Sequence, residues 1–71
     1  MEESDFCDEL GKNLRAARKS AGLTQRQLAE LIGCTPTTLG YWERGTYGPP
    51  VVKVFRICTA LGTAVREVIP K

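Results

Sequence analysis

Glycine stands at positions 22, 33, 45 and 62, and each closes a short stretch in which apolar residues recur three or four apart. A glycine just past the last periodic residue is a common helix stop, so this spacing confines the chain to short helices joined by tight turns. Proline adds to the punctuation, since Pro36 follows Thr35 and Gly48-Pro49-Pro50 forces a loop. A first helix is predicted over residues 6–20, capped by Ser4 or Asp5, with Phe6, Leu10, Leu14, Ala17 and Ala21 on one stripe. Thr24 caps a second over residues 25–32, where Leu28, Leu31 and Ile32 share a face and Ala29 lets its neighbour come close. Thr35 caps a third over residues 36–44, opened by Pro36 and turning Leu39 and Trp42 inward. Val51, Val54, Phe55, Cys58 and Leu61 mark a fourth helix ending at Gly62, and Val65, Val68 and Ile69 mark a last one over residues 64–69. No segment alternates as a strand would, so the expected fold is all-α, a compact five-helix bundle without strands.

The chain has 71 residues, and a single domain, 1–71, is expected, with residues 1–5 a flexible acidic N-terminus. A chain of this size buries only about 60% of the surface its unfolded form exposes, which leaves little stability for a deep catalytic pocket. There is no histidine, so the commonest general base and the Ser/His and Cys/His pairs are missing. No catalytic residues and no enzyme activity are expected. Cys7, Cys34 and Cys58 are too far apart for a C-x-x-C arrangement, so neither a metal site nor a cofactor is expected. Cys34 and Cys58 read as small core residues, and Cys7 as an unreactive thiol. No apolar run approaches the roughly 20 residues of a membrane span, and the first residues lack the basic flank of a signal peptide. The expected setting is the cytoplasm, with no membrane partner.

The formal net charge of +2 hides an asymmetry. Residues 1–11 carry five acids and no base, whereas residues 12–71 carry ten bases and three acids, a net +7. A basic body of that kind suits a polyanion. Residues 25–44 form two short helices around a glycine turn, the arrangement by which a helix-turn-helix offers its second helix to the major groove of DNA. Ala29 lies where these helices cross, Gly33 supplies the turn's positive φ, and Leu28, Leu39 and Trp42 set the angle between them. On the third helix Thr37, Tyr41 and Arg44 fall at i, i+4 and i+7, facing away from Leu39 and Trp42, with Thr38 alongside. Such a stripe is either a reading face for base edges or an ordinary solvated surface.

The string R-x-x-x-G-L-T-Q-x-x-L-A-x-x-I-G-C-T-P-T-T-L-x-x-W-E-R-G, followed by P-x-x-x-x-V-x-x-I-C-x-A-L-G, resembles the lambda-repressor-like, Cro-type helix-turn-helix family over roughly residues 10–69. The resemblance implies a five-helix DNA-binding regulator of bacterial or phage type, repressor or activator, bound to a palindromic operator as a homodimer. It implies that Gln25 donates to a phosphate at the start of the second helix, that Thr37, Tyr41 and Arg44 enter the groove, and that Arg18 and Glu43 form a structural salt bridge. Arg26, Thr35, Thr38 and Thr46 complete the implied DNA contact set, and Lys12, Arg15 and Lys19 with Arg26 supply phosphate attraction. The dimer contact is implied at Val65, Val68 and Ile69 on the last helix. Three departures weaken the reading face: Pro36 in the first turn, Gly40 within the helix, and a loop at residues 46–49 without lysine or arginine. Pro36 and Gly40, with the acidic N-terminus, also motivate a second reading, a protein-interaction module such as an antitoxin or antirepressor on the same fold.

Overall fold

The computed structural model describes residues 2–71 and contains five helices, with no strand among those residues. They are α1 (Glu3–Ser20), α2 (Gln25–Ile32), α3 (Pro36–Arg44), α4 (Val51–Leu61) and α5 (Val65–Val68). Gly22, Gly33, Gly45 and Gly62 all hold φ between 69° and 76°, the left-handed region that terminates a helix at little cost only for glycine.

Helix α1 begins three residues ahead of the expected start. Ser4 and Asp5 lie inside it, and Glu2 occupies the N-cap position without a side-chain cap bond. Residues 3–5 are thus a helical first turn, where Glu3 and Asp5 complement the positive end of the helix dipole. Met1 falls outside the described residues. Helix α5 is shorter than expected, with Ala64 as its N-cap and extended Ile69 as its C-cap.

The core is built from Leu10, Leu14, Leu28, Ala29, Ile32, Leu39, Trp42, Val54, Ile57, Cys58 and Val68. Burying a side chain such as Leu14 or Ile57 contributes about 1.5–3 kcal/mol. Helix α1 packs against α3 and α5, while α2 packs against α3 and α4. At the first of these contacts lies Gly11, which the apolar pattern did not single out. A Cβ on Gly11 would stand 2.5 Å from the Trp42 carbonyl oxygen and 2.6 Å from that of Glu43, so only a bare backbone admits α3 this closely.

Several expected core positions lie on the surface. Phe6, Leu31, Val51 and Phe55 are exposed, together with Val52, and Ala21 is the exposed C-cap of α1. Helix α4 explains most of the difference, because it carries apolar side chains around most of its circumference. Its contacts with α2, α1 and α5 bury Val54, Ile57 and Cys58 and leave Val51, Val52 and Phe55 outside.

Candidate nucleic-acid interface

Local chemistry sets the ends of α2 and α3. Thr24 Oγ1 accepts from the Gln27 backbone N–H at 3.1 Å while Gln27 Oε1 accepts from the Thr24 N–H at 2.9 Å, a reciprocal capping box that makes Gln25 the first residue of α2. Helix α2 ends at Gly33, where Lys53 Nζ donates to the carbonyls of Ile32 at 2.7 Å and Gly33 at 3.2 Å. A cation there satisfies orphan carbonyls and meets the negative end of the helix dipole. Lys53 comes from α4, twenty residues on, and no local pattern marks it for this task. Thr35 Oγ1 accepts from the Thr38 backbone N–H at 3.1 Å and donates to Thr38 Oγ1 at 3.0 Å. Of the hydroxyls expected at DNA, that of Thr35 is therefore engaged in starting α3, while Thr38 Oγ1 only accepts and keeps its own O–H.

The helix pair is locked by a buried polar cluster. Arg18 Nε donates to Glu43 Oε2 at 2.7 Å and Arg18 Nη2 to Glu43 Oε1 at 3.0 Å, with the two residues only 7% and 5% exposed. Arg18 Nη1 also donates to the Leu23 carbonyl at 2.8 Å. Gln25 Nε2 then donates to Glu43 Oε1 at 3.0 Å. Because a carboxylate can only accept, this bond turns the amide nitrogen of Gln25 toward α3.

With Leu39 and Trp42 buried, the opposite face of α3 presents Thr37, Tyr41 and Arg44 to solvent. Arg44 Cζ lies 5.2 Å from the centroid of the Tyr41 ring, which in turn lies 5.5 Å from that of Tyr47. Tyr47, in the loop after α3, thus joins a face to which sequence spacing alone did not assign it. Thr46 is exposed beside it, its N–H bonded to the Tyr41 carbonyl at 3.1 Å. Arg26 is exposed at the start of α2, and Lys12, Arg15 and Lys19 follow one another along α1 at steps of three and four. Among the described residues, only Lys12 of these forms an ion pair, with Glu9 at 3.9 Å.

Of the residues implied at a dimer contact, Val68 is placed otherwise. Val68 is a core residue at 2% exposure, and Val65 and Ile69 are half-buried against the same core. Asn13 Nδ2 donates to the Val68 carbonyl at 2.8 Å, so α5 is tied down on α1. The contacts within the bundle leave Val68 no free surface for a partner.

Burial pushes the Cys34 thiol above its ordinary value, against the smaller opposing pull of Lys53, and burial likewise raises Cys58. Both therefore stay protonated at neutral pH, which disfavours nucleophilic chemistry at either sulfur. Among the described residues no cluster of acidic and cysteine side chains could hold a metal ion, and no helix is long and apolar enough to cross a membrane.

Two short helices at a left-handed turn, a polar lock behind them and a solvent-facing stripe on the second define a helix-turn-helix module. The HTH_3 family, described as helix-turn-helix, matches residues 14–68, and the chain belongs to it. An uncharacterized HTH-type transcriptional regulator of Methanothermobacter thermautotrophicus is 45% identical over 49 residues, covering 69% of this chain and 71% of that one. The restriction-modification controller protein C.AhdI from Aeromonas hydrophila has a similar structure, with a TM-score of 0.83 and 33% identity over 89% of this chain and 96% of that one. The clp gene regulator ClgR from Corynebacterium glutamicum gives 0.84 and 35% over 89% of this chain and 82% of its own. The protein is a DNA-binding transcription regulator.

Proposed function

We propose that the protein reads duplex DNA in a sequence-specific way, with α3 in the major groove and two copies on a palindromic operator. The observation that carries the docking is the outward stripe of α3, held against α2 by the Arg18–Glu43–Gln25 cluster. Thr37 offers a hydroxyl and a methyl group to base edges, and Tyr41 a hydroxyl and an apolar ring. Gln25 and Arg26, at the start of α2, meet the sugar-phosphate backbone, as does the exposed loop at Thr46. Binding to DNA would place the protein at the nucleoid in the cytoplasm.

The homodimer contact is assigned to the apolar face formed by Leu31 on α2 and Val51, Val52 and Phe55 on α4, all more than half exposed. Together with Arg56, Thr59 and Ala60, three of these side chains line an open groove of about 580 Å³. Four such side chains amount to about 400 Å² of apolar area. That is about half of the roughly 800 Å² each partner contributes to a standard interface, which fits an apolar centre within a polar rim that includes Arg56 and Thr59. The occupant is a second copy of this chain, meeting the same face about a two-fold axis.

Selection from a random duplex library tests the reading as a whole. An enriched palindrome, with half-sites about one helical turn apart, is the expected result. Thr37→Ala and Tyr41→Ala should each lower the preference for the selected site by about 1–3 kcal/mol, seen as a narrowed gap between specific and mixed-sequence binding. Enrichment of no sequence, or a footprint unchanged by both substitutions, refutes the assignment.

A further inference from the structure

Gly40 lies in the interior of α3, where alanine would suit the helix better, and yet it is buried. What covers it is a pair of polar side chains. A Cβ at this position would stand 3.1 Å from Arg44 Nη1 and 3.7 Å from Gln25 Nε2. Arg44 is one turn further along α3, so its side chain folds back toward the helix N-terminus over the empty position, its guanidinium beside the Tyr41 ring. Gln25 arrives from α2, its amide nitrogen already turned inward by Glu43.

The result is two donors within 4 Å of one Cβ-sized space. Gln25 Nε2 has a second N–H beyond the one given to Glu43, and among the described residues no carboxylate pairs with Arg44. Two donors converging on one small space suit the oxygens of a single phosphate, each of which accepts at about 2.9 Å.

We infer that Arg44 and Gln25 form a clamp for a single DNA backbone phosphate, and that Gly40 is glycine so that the guanidinium can lie down beside the amide. The inference rests on the proposed docking of α3 and refines it. Arg44 leaves the base-reading stripe, supplying affinity at any sequence, and discrimination falls to Thr37 and Tyr41. A methyl group on Gly40 would meet Arg44 Nη1 at 3.1 Å, so the guanidinium must move by a few tenths of an ångström, away from the position beside the Gln25 amide.

The test is binding to a short mixed-sequence duplex, followed by fluorescence anisotropy across a series of salt concentrations. Gly40→Ala should weaken binding about tenfold, the scale of one hydrogen bond to a charged group. It should also flatten the slope of log K against log salt by about 0.9, the share of one phosphate. Arg44→Ala should do the same, and the double variant should bind no more weakly than Arg44→Ala alone. The thermal midpoint of Gly40→Ala should equal or exceed that of the parent, which separates the loss of binding from unfolding.

Parent-like affinity and slope in Gly40→Ala overturn the clamp, as do losses that add in the double variant. Arg44→Ala provides a check that leaves Gly40 untouched. Its loss should be equal on every duplex, and a loss confined to certain sequences returns Arg44 to base reading. A parent protein that binds no duplex at low salt removes the α3 docking as well, whereas normal parent binding with an indistinguishable Gly40→Ala removes the clamp alone.

Discussion

Glu43 joins three parts of the molecule through two oxygens, accepting from Arg18 on α1 and from Gln25 on α2 while it sits on α3. Its charge is matched by the guanidinium, and the shared bond to Gln25 carries the scaffold's geometry to the surface where DNA is proposed to bind. Removing one member of so buried a pair strands the other, at about 3–5 kcal/mol. Cys58 is a different kind of buried group, a neutral thiol whose proton the fold retains because burial disfavours the thiolate. Its folded pKa is raised, so its contribution to stability is complete below the ordinary value of 9.0 and declines as pH rises above it, where the unfolded chain ionises first. The stability gap between the parent and Cys58→Ala, measured by urea unfolding, should therefore shrink between pH 8 and pH 10, on the order of the thiol's titration range. A gap that stays constant contradicts the raised value. Residue identity was enough to suggest that Cys58 was core, because a small apolar group at helical spacing is a local signal. Arg44 lying over Gly40 was not legible, since one needs the path of the side chain and the arrival of Gln25 from another helix.

Helix ends were largely visible in the sequence because they depend on a few adjacent residues. Thr24 and Thr35 carry the oxygen that caps the following helix, and the four glycines adopt the left-handed geometry that stops one. The start of α1 was misplaced for the same reason, since Glu2 makes no side-chain cap bond and leaves no such mark. Gly11 shows where local reasoning fails at this scale. Alanine is better than glycine by about 1 kcal/mol in a helix interior, so propensity alone favours Gly11→Ala. The Trp42 and Glu43 carbonyls at 2.5 and 2.6 Å from its Cβ belong to backbone and cannot step aside, so α1 and α3 must separate. Gly11→Ala is expected to lose about 1–3 kcal/mol net, a fall in thermal midpoint of about 4–8 °C per kcal/mol. That is the opposite sign to Gly40→Ala, whose methyl group meets only a flexible side chain. A Gly11→Ala protein as stable as the parent would show that the α1–α3 contact is looser than its geometry.

The whole molecule presents two surfaces of different character, a polar stripe on α3 and an apolar face on α2 and α4. Since α3 packs chiefly on α1 and α2 and is not among the main partners of α4, a second copy on the apolar face is expected to leave the stripe open to DNA. Phe55→Glu places a charge in the centre of that face without removing a core contact. The expected outcome is a monomer by sedimentation equilibrium, an unchanged thermal midpoint at low protein concentration, and operator binding lost or converted to half-site occupancy. A parent that is monomeric at every concentration would eliminate the second copy and leave the face to another protein. The sequence by itself determined the number of helices, their approximate ends, the helix-turn-helix and the basic character of the body. Those properties follow from backbone preferences and charges within a few residues of one another. Only the tertiary structure decided which side of α4 is covered, that Val68 is core, that Lys53 closes α2, and that Gly11 and Gly40 are empty for opposite reasons. Each of these depends on what another helix brings to the spot, and the periodicity of a single helix carries no record of its neighbour.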